Sequence, residues 1–159
     1  MTITTAKRFT INEYNRLAEL GFFDKDNRVE LIRGEIIPME AKGKLHSTLN
    51  RRLIRELSIL ITTRGTLQNQ DPISINPDSE PEPDVAILIN QDDDYLNYHP
   101  TPQDVLLLIE IADSSLKYDQ EVKLPLYARA GISDYWIFNI IENCLETYNE
   151  PYEDLQNKF

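Results

Sequence analysis

A chain of 159 residues, 41% hydrophobic and 27% charged, is long enough for a packed core, and this composition excludes disorder as the default. A single cysteine, Cys144, excludes an intrachain disulfide, and one Cys with two His excludes a Cys–His zinc cluster. Twenty-seven acids against sixteen bases give a net charge of −11, which argues against indiscriminate nucleic-acid binding and weighs against any nuclease reading.

The first residues, "MTITTAKRFTINEYNRL", lack an apolar signal core, and no window has the apolar length of a membrane span. A cytoplasmic location is the expectation. Thr10 to Gly21 predicts a short helix: Thr10 and Glu13 form a capping box, Ile11, Tyr14, Leu17 and Ala18 share a face, and Gly21 marks the stop. "RVELIRGEIIPM" predicts two strands, Val29–Ile32 and Glu35–Met39, around a tight Arg33-Gly34 turn. Lys44 to Gly65 predicts the main helix, with Leu45, Leu49, Leu53, Leu57 and Leu60 at three- and four-residue steps. His46 lies with these leucines, whereas Arg51, Arg52 and Arg55 fall largely on other faces.

"TLQNQDPISI" is a strand candidate broken by Pro72, and 76–83 is a loop rich in Pro, Asp, Ser and Glu. Val85–Ile89 is a short, fully apolar strand. Val105–Ala112, "VLLLIEIA", does not alternate and so predicts a central strand covered on both faces. Asp119 to Gly131 predicts a helix capped by Asp119 and stopped by Gly131, with Pro125 kinking it or marking a late start. "DYWIFNII" and "CLETY" predict a final hairpin around Glu142-Asn143. This order predicts an α/β sandwich with a mixed sheet. No repeat or linker divides it, so one domain, 1–159, is expected: a helix and hairpin over 10–39 ahead of a core over 44–148.

Asp84 opens one apolar strand and Glu110 lies near the end of the next. If those strands are neighbours, both carboxylates meet at one sheet edge. Two acids that close repel, and one protonates unless a cation lies between them. A hard divalent ion such as Mg²⁺ suits that position, because it takes oxygen ligands and keeps several waters. Singly, each residue has a plainer reading. Asp84 after proline suits a turn held by backbone amides; Glu110 suits a buried ion pair. Lys123, four residues after Asp119, suits a surface pair on one helix face or an ammonium turned into a site. Glu30, beside Val29 and Leu31, suits an exposed strand position, and His46 a satisfied core histidine. Five glycines in the chain make neither a GxGxxG nor a GxxxxGK[ST] phosphate loop, and there is no G-x-S-x-G elbow.

"RVELIRGEI", His46 at a helix start, "PEPDVAIL" and "LLLIEIADSSLKYDQEVKLPLYARAGISDYWIF" together resemble the large restriction-endonuclease-like family abundant in cyanobacteria, within the PD-(D/E)xK nuclease superfamily. The resemblance runs from about Phe9 to Tyr148. It implies an αβββαβ core, an endonuclease activity on DNA, and a Mg²⁺ or Mn²⁺ ion held by Asp84 and Glu110. The superfamily's lysine normally stands two places after the second acid, where this chain has Ala112; the resemblance places it instead on the following helix, at Lys123. It further implies Glu30, His46 and Gln70 as pocket members. Arg51, Arg52 and Arg55, with Lys42 and Lys44, are the clustered positive charge available for phosphates. The alternative is a catalytically inactive member of the same fold, a homodimer acting as a binding or interaction module, which Ala112 and the net charge favour.

Overall fold

The computed structural model describes residues 5–24 and 26–152. Helix α1 (Ile11–Glu19) starts at the predicted capping box: the Glu13 amide donates to Thr10 Oγ1, and the Thr10 amide donates to the Glu13 carboxylate. Strands β1 (Val29–Ile32) and β2 (Glu35–Pro38) follow as a separate antiparallel hairpin. Its turn needs positive φ at both central residues, Arg33 (49°) and Gly34 (77°), the conformation that matches the twist of the two strands. A Cβ on Gly34 would lie 2.8 Å from Arg8 Cβ, so glycine is required there for space as well.

The second sheet has the order β3-β4-β5-β6-β7, formed by Thr66–Asn69, Val85–Leu88, Val105–Ala112, Asp134–Asn139 and Cys144–Asn149. Only β5 and β6 run parallel; the other pairs are antiparallel. A parallel pair needs a crossover, and the helical run from Leu116 to Arg129 supplies it. Together with α2 (Lys44–Ile61), this is the αβββαβ order expected from the sequence. Strand β5 is covered on both faces, as its unbroken apolar run predicted. Leu107 and Ile109 pack with Val85 against Leu53, Ile54 and Leu57 of α2. Leu108 and Ala112 pack with Ala86 and Leu88 against Leu126 and Tyr127 of the crossover. Glu110 has the parity of Leu108 and Ala112, so it points to the crossover side.

The structure corrects several boundaries. Helix α2 ends at Ile61, where Thr62 takes φ 50°, four residues before Gly65. Its leucine row is covered only in the middle: Leu53 and Leu57 pack on the sheet, Leu45 and Leu60 at its ends are 53% and 63% exposed, and His46 and Asn50 turn inward. Steps of four residues advance roughly 400°, so a row at 45, 49, 53 and 57 drifts about 40° per step around the helix. Strand β3 stops at Asn69, because Gln70 has φ 57° and leaves the strand before Pro72 is reached. Asp119 is not a helix cap. The helix begins earlier, as α3 (Leu116–Tyr118), and runs through a wide π turn (Asp119–Lys123) into α4 (Leu124–Arg129). In that turn the Leu124 amide donates to the Asp119 carbonyl five residues back. Pro125 has no amide hydrogen to offer, and the widened turn accommodates it without breaking the helix. Among the described residues, no helix is long and apolar enough to cross a membrane.

Candidate active site

The loop ahead of Asp84 is tied down along its length. Ile11 donates its amide to the Pro77 carbonyl (3.0 Å), Gly34 to Asp78 (2.7 Å), and Glu80 to Leu31 (2.7 Å). Ile73 donates to the Pro81 carbonyl (2.9 Å), and Pro81 and Pro83 are fully buried. Glu80 and Glu82, in the stretch the sequence marks only as a loop rich in Pro, Asp, Ser and Glu, belong to this anchoring. The Glu80 carboxylate accepts from Ser74 Oγ and Asn15 Nδ2, and Glu82 pairs with Arg28. The small N-terminal helix and hairpin therefore aim the Pro83-Asp84 step.

Strands β4 and β5 pair Val85 with Ile109, and one step beyond that pair Asp84 meets Glu110. The Asp84 amide donates to Glu110 Oε2 (3.2 Å), and the Ile111 amide donates to Asp84 Oδ2 (2.9 Å). Asp84 Oδ2 also lies 2.9 Å from His46 Nε2, while Oδ1 accepts from Lys42 Nζ at 3.0 Å. Burial alone would raise the Asp84 pKa. The His46 hydrogen bond, the Lys42 charge and the Ile111 amide outweigh it and hold the carboxyl well below the usual range.

Glu110 Oε1 accepts from Lys123 Nζ at 2.8 Å and from Tyr127 Oη at 3.3 Å. Burial raises its pKa strongly; Lys123 opposes this, and Asp119 and Asp84 push further upward. Lys123 is itself 4% exposed, with Glu30 Oε2 at 3.5 Å and the Tyr118 ring below it at 5.9 Å. Desolvation would favour the neutral amine, but Glu110, Glu30 and Asp119 together outweigh it and keep the ammonium charged. Lys123 thus stands in the site and is not a surface pair.

Five of the sequence-predicted residues, Asp84, Glu110, Lys123, Glu30 and His46, line one pocket of about 240 Å³. Gln70 reaches Asp84 Oδ1 from the end of β3 at 3.5 Å but lies outside that lining. Arg51, Arg52 and Arg55 are exposed on α2 and do not line the pocket; Arg51 bonds Thr48, and Arg55 pairs with Glu56. The sequence reading missed Tyr118, Tyr127 and Asp119 as members of this cluster, and Lys42 as the partner of Asp84. Ser115, Asp119 and Lys123, at four-residue spacing, show in the sequence that they share a helix face, but not that this face turns inward.

The family model described as "Uma2: Putative restriction endonuclease" matches residues 11–158. This chain belongs to that family. The resemblance read from the sequence is borne out by it. The crystal structure described as a putative nuclease belonging to DUF820 from Anabaena variabilis ATCC 29413 is similar in fold, with a TM-score of 0.68 at 15% identity. The alignment covers 92% of this chain and 82% of that one. No curated protein matches the chain.

For a member of the Uma2 family the question is whether the pocket suits a divalent cation. Seven carboxylates and two lysines line it, an excess of negative charge that a bare phosphate would not enter unaided. Among the described residues, no three His, Cys, Asp or Glu side chains are arranged to hold a metal ion. Two carboxylates suffice for Mg²⁺, which keeps several of its waters. Lys42 already occupies Asp84 Oδ1 with a monovalent charge, on a side chain 22% exposed and long enough to move away. The donor set, all oxygen, fits a hard cation.

Proposed function

We propose that this protein is a divalent-metal-dependent endonuclease that hydrolyses phosphodiester bonds in DNA. The carrying observation is the convergence of Asp84, Glu110 and Lys123 at one sheet edge inside a carboxylate-rich pocket. Asp84 and Glu110 would hold the ion, Mg²⁺ or Mn²⁺. Such an ion, when bound, supplies an activated water and neutralises charge developing on the phosphate. Lys123 keeps a permanent positive charge beside Glu110, fit to stabilise the same developing charge. Glu30 holds Lys123 in place from the hairpin, and His46 fixes the orientation of the Asp84 carboxylate. Gln70 supports Asp84 from β3. Arg51, Arg52 and Arg55 would meet the DNA backbone outside the pocket.

The competing reading is a non-catalytic, dimeric binding module. Ala112 at the motif's lysine position favours it, as does an acidic lining that repels nucleic acid. Plasmid nicking separates the two. The parent is expected to nick supercoiled plasmid with Mg²⁺ or Mn²⁺ and to stop in a chelator, and Glu110→Ala is expected to be inactive. Activity equal in both proteins, or absent from both with either metal, moves the assignment to the binding module.

A further inference from the structure

Four carboxylates of the pocket are buried: Glu30, Asp84, Glu110 and Asp119. Three of them have both oxygens engaged. Glu30 Oε1 accepts from Tyr118 Oη and its Oε2 from the Glu82 amide, each at 3.0 Å. Asp84 is held by Lys42 on one oxygen and by His46 and Ile111 on the other. Glu110 is held by Lys123 and Tyr127 on one side and by the Asp84 amide on the other.

Asp119 differs. Its Oδ2 accepts from Ser115 Oγ at 2.7 Å, while Oδ1 takes no hydrogen bond from any described residue. No lysine or arginine among the described residues lies within ion-pair distance of it; Lys123 is committed to Glu110 and Glu30. The residue is 2% exposed and lines the pocket. A buried acid with a vacant oxygen and no cation in contact costs free energy, and packing alone does not require one here.

Hydrolysis by an activated water needs a group to receive the water's proton. Lys123 cannot receive it, being already protonated and held so by two carboxylates. Asp84 is a weak base, because Lys42, the His46 hydrogen bond and the Ile111 amide hold it ionised. Glu110 is covered on both oxygens. We propose that Asp119 is the proton acceptor of the reaction. In this step the attacking water's O–H bond breaks as its oxygen bonds to phosphorus, and the proton passes to Asp119 Oδ1. The bond from phosphorus to the leaving oxygen breaks, that oxygen keeping the electron pair and taking a proton from solvent.

Two further features fit. The π turn brings Asp119 and Lys123 inward from one stretch of helix, so charge stabiliser and base sit side by side. Burial, with Asp84 and Glu30 adding to it and Lys123 and Ser115 opposing it, raises the Asp119 carboxyl to about 6, near the pH at which a base works best. The charged and titratable groups facing Asp119 are Lys123, Tyr118 and Tyr127 on its own helical run, Asp84 and Glu110 at the sheet edge, and Glu30 on the hairpin. On β6, Tyr135 donates its hydroxyl to the Asp119 carbonyl at 3.4 Å.

The inference rests on the nuclease reading, and its test keeps the two apart. Nicking rates with Mn²⁺ are measured across pH for the parent, Asp119→Asn and Ser115→Ala, with thermal melts and with DNA binding in Ca²⁺. The parent is expected to gain rate as pH rises through about 6 and then level off. Asp119→Asn should lose about 10²–10⁴-fold at neutral pH, without the levelling, while binding DNA as the parent does. Ser115→Ala removes a hydrogen bond that favours the charged acid, so its rise should move to higher pH. An Asp119→Asn enzyme that retains the parent's pH profile overturns the base assignment alone. An inactive parent overturns both readings. If Asp119→Asn melts too low to assay, an unshifted Ser115→Ala profile still overturns the assignment.

Discussion

Lys123 is the residue on which stability and chemistry meet. Its ammonium and the Glu110 carboxylate are both about 5% exposed, so each depends on the other for compensation. Removing one partner of such a pair leaves an uncompensated buried charge and costs about 3–5 kcal/mol. Lys123→Met is therefore expected to lose roughly that amount at pH 8. The deficit should shrink towards pH 5, because Glu110, whose pKa burial already raises, then takes up a proton and needs no counter-ion. The sign follows from linkage: an acid raised on folding favours the native state at low pH and loses that advantage as pH rises through its folded pKa. Urea unfolding at the two pH values checks this, and a deficit of equal size at both would contradict it. Legibility at this scale was uneven. Asp84 and Glu110 were readable because an acid at the mouth or near the end of an apolar run is anomalous, whereas Lys123 came from the family resemblance and not from its spacing. Asp119 was not readable, because four-residue spacing from Lys123 looks the same on an exposed helix as on a buried one, and only the tertiary setting separates them.

At the scale of elements, the β1-β2 hairpin supports the site more than its size suggests. It carries Glu30 to Lys123 and Tyr118, and Leu31 pairs with Glu80 in the loop leading to Asp84. Its turn depends on Gly34, whose φ of 77° disfavours a side chain and whose Cβ position is blocked by Arg8 Cβ at 2.8 Å and Phe9 N at 3.1 Å. Gly34→Ala should cost about 1–3 kcal/mol, from backbone strain and the clash together. Gly21 is the control: it has φ 72° but nothing within 4 Å, so Gly21→Ala should cost only about 1 kcal/mol. Thermal melts of the two variants compare them, and equal losses would remove the close approach at Gly34 from the account. Elements were legible where local signals agree, as with the capping box of α1 and the apolar run of β5. The π turn was not, since Pro125 announces a disturbance in a helix without saying which kind. The position of Leu45 was misjudged because four-residue spacing alone hides the drift of a row around the helix.

For the molecule as a whole, the net charge of −11 is both an obstacle to binding DNA and a source of internal repulsion. Part of that repulsion is diffuse and part is concentrated in the pocket, where seven carboxylates meet two lysines. The two parts respond differently to ions. Diffuse repulsion is screened by any salt within the Debye length, about 10 Å at 0.1 M. The pocket would respond specifically to a divalent ion, because binding to the folded state alone stabilises by mass action. In a chelator, the melting temperature should rise with NaCl, and at constant ionic strength Mg²⁺ or Mn²⁺ should raise it further. Asp84→Asn combined with Glu110→Gln should erase the divalent increment and leave the NaCl increment in place. The divalent increment should also be larger at pH 8 than at pH 5.5, since Glu110, with its pKa raised by burial, must shed a proton before it can act as a ligand. An increment that survives the double substitution would place the ion elsewhere among the surface acids, and the acidity of this chain would then have no connection with the edge where Asp84 and Glu110 meet.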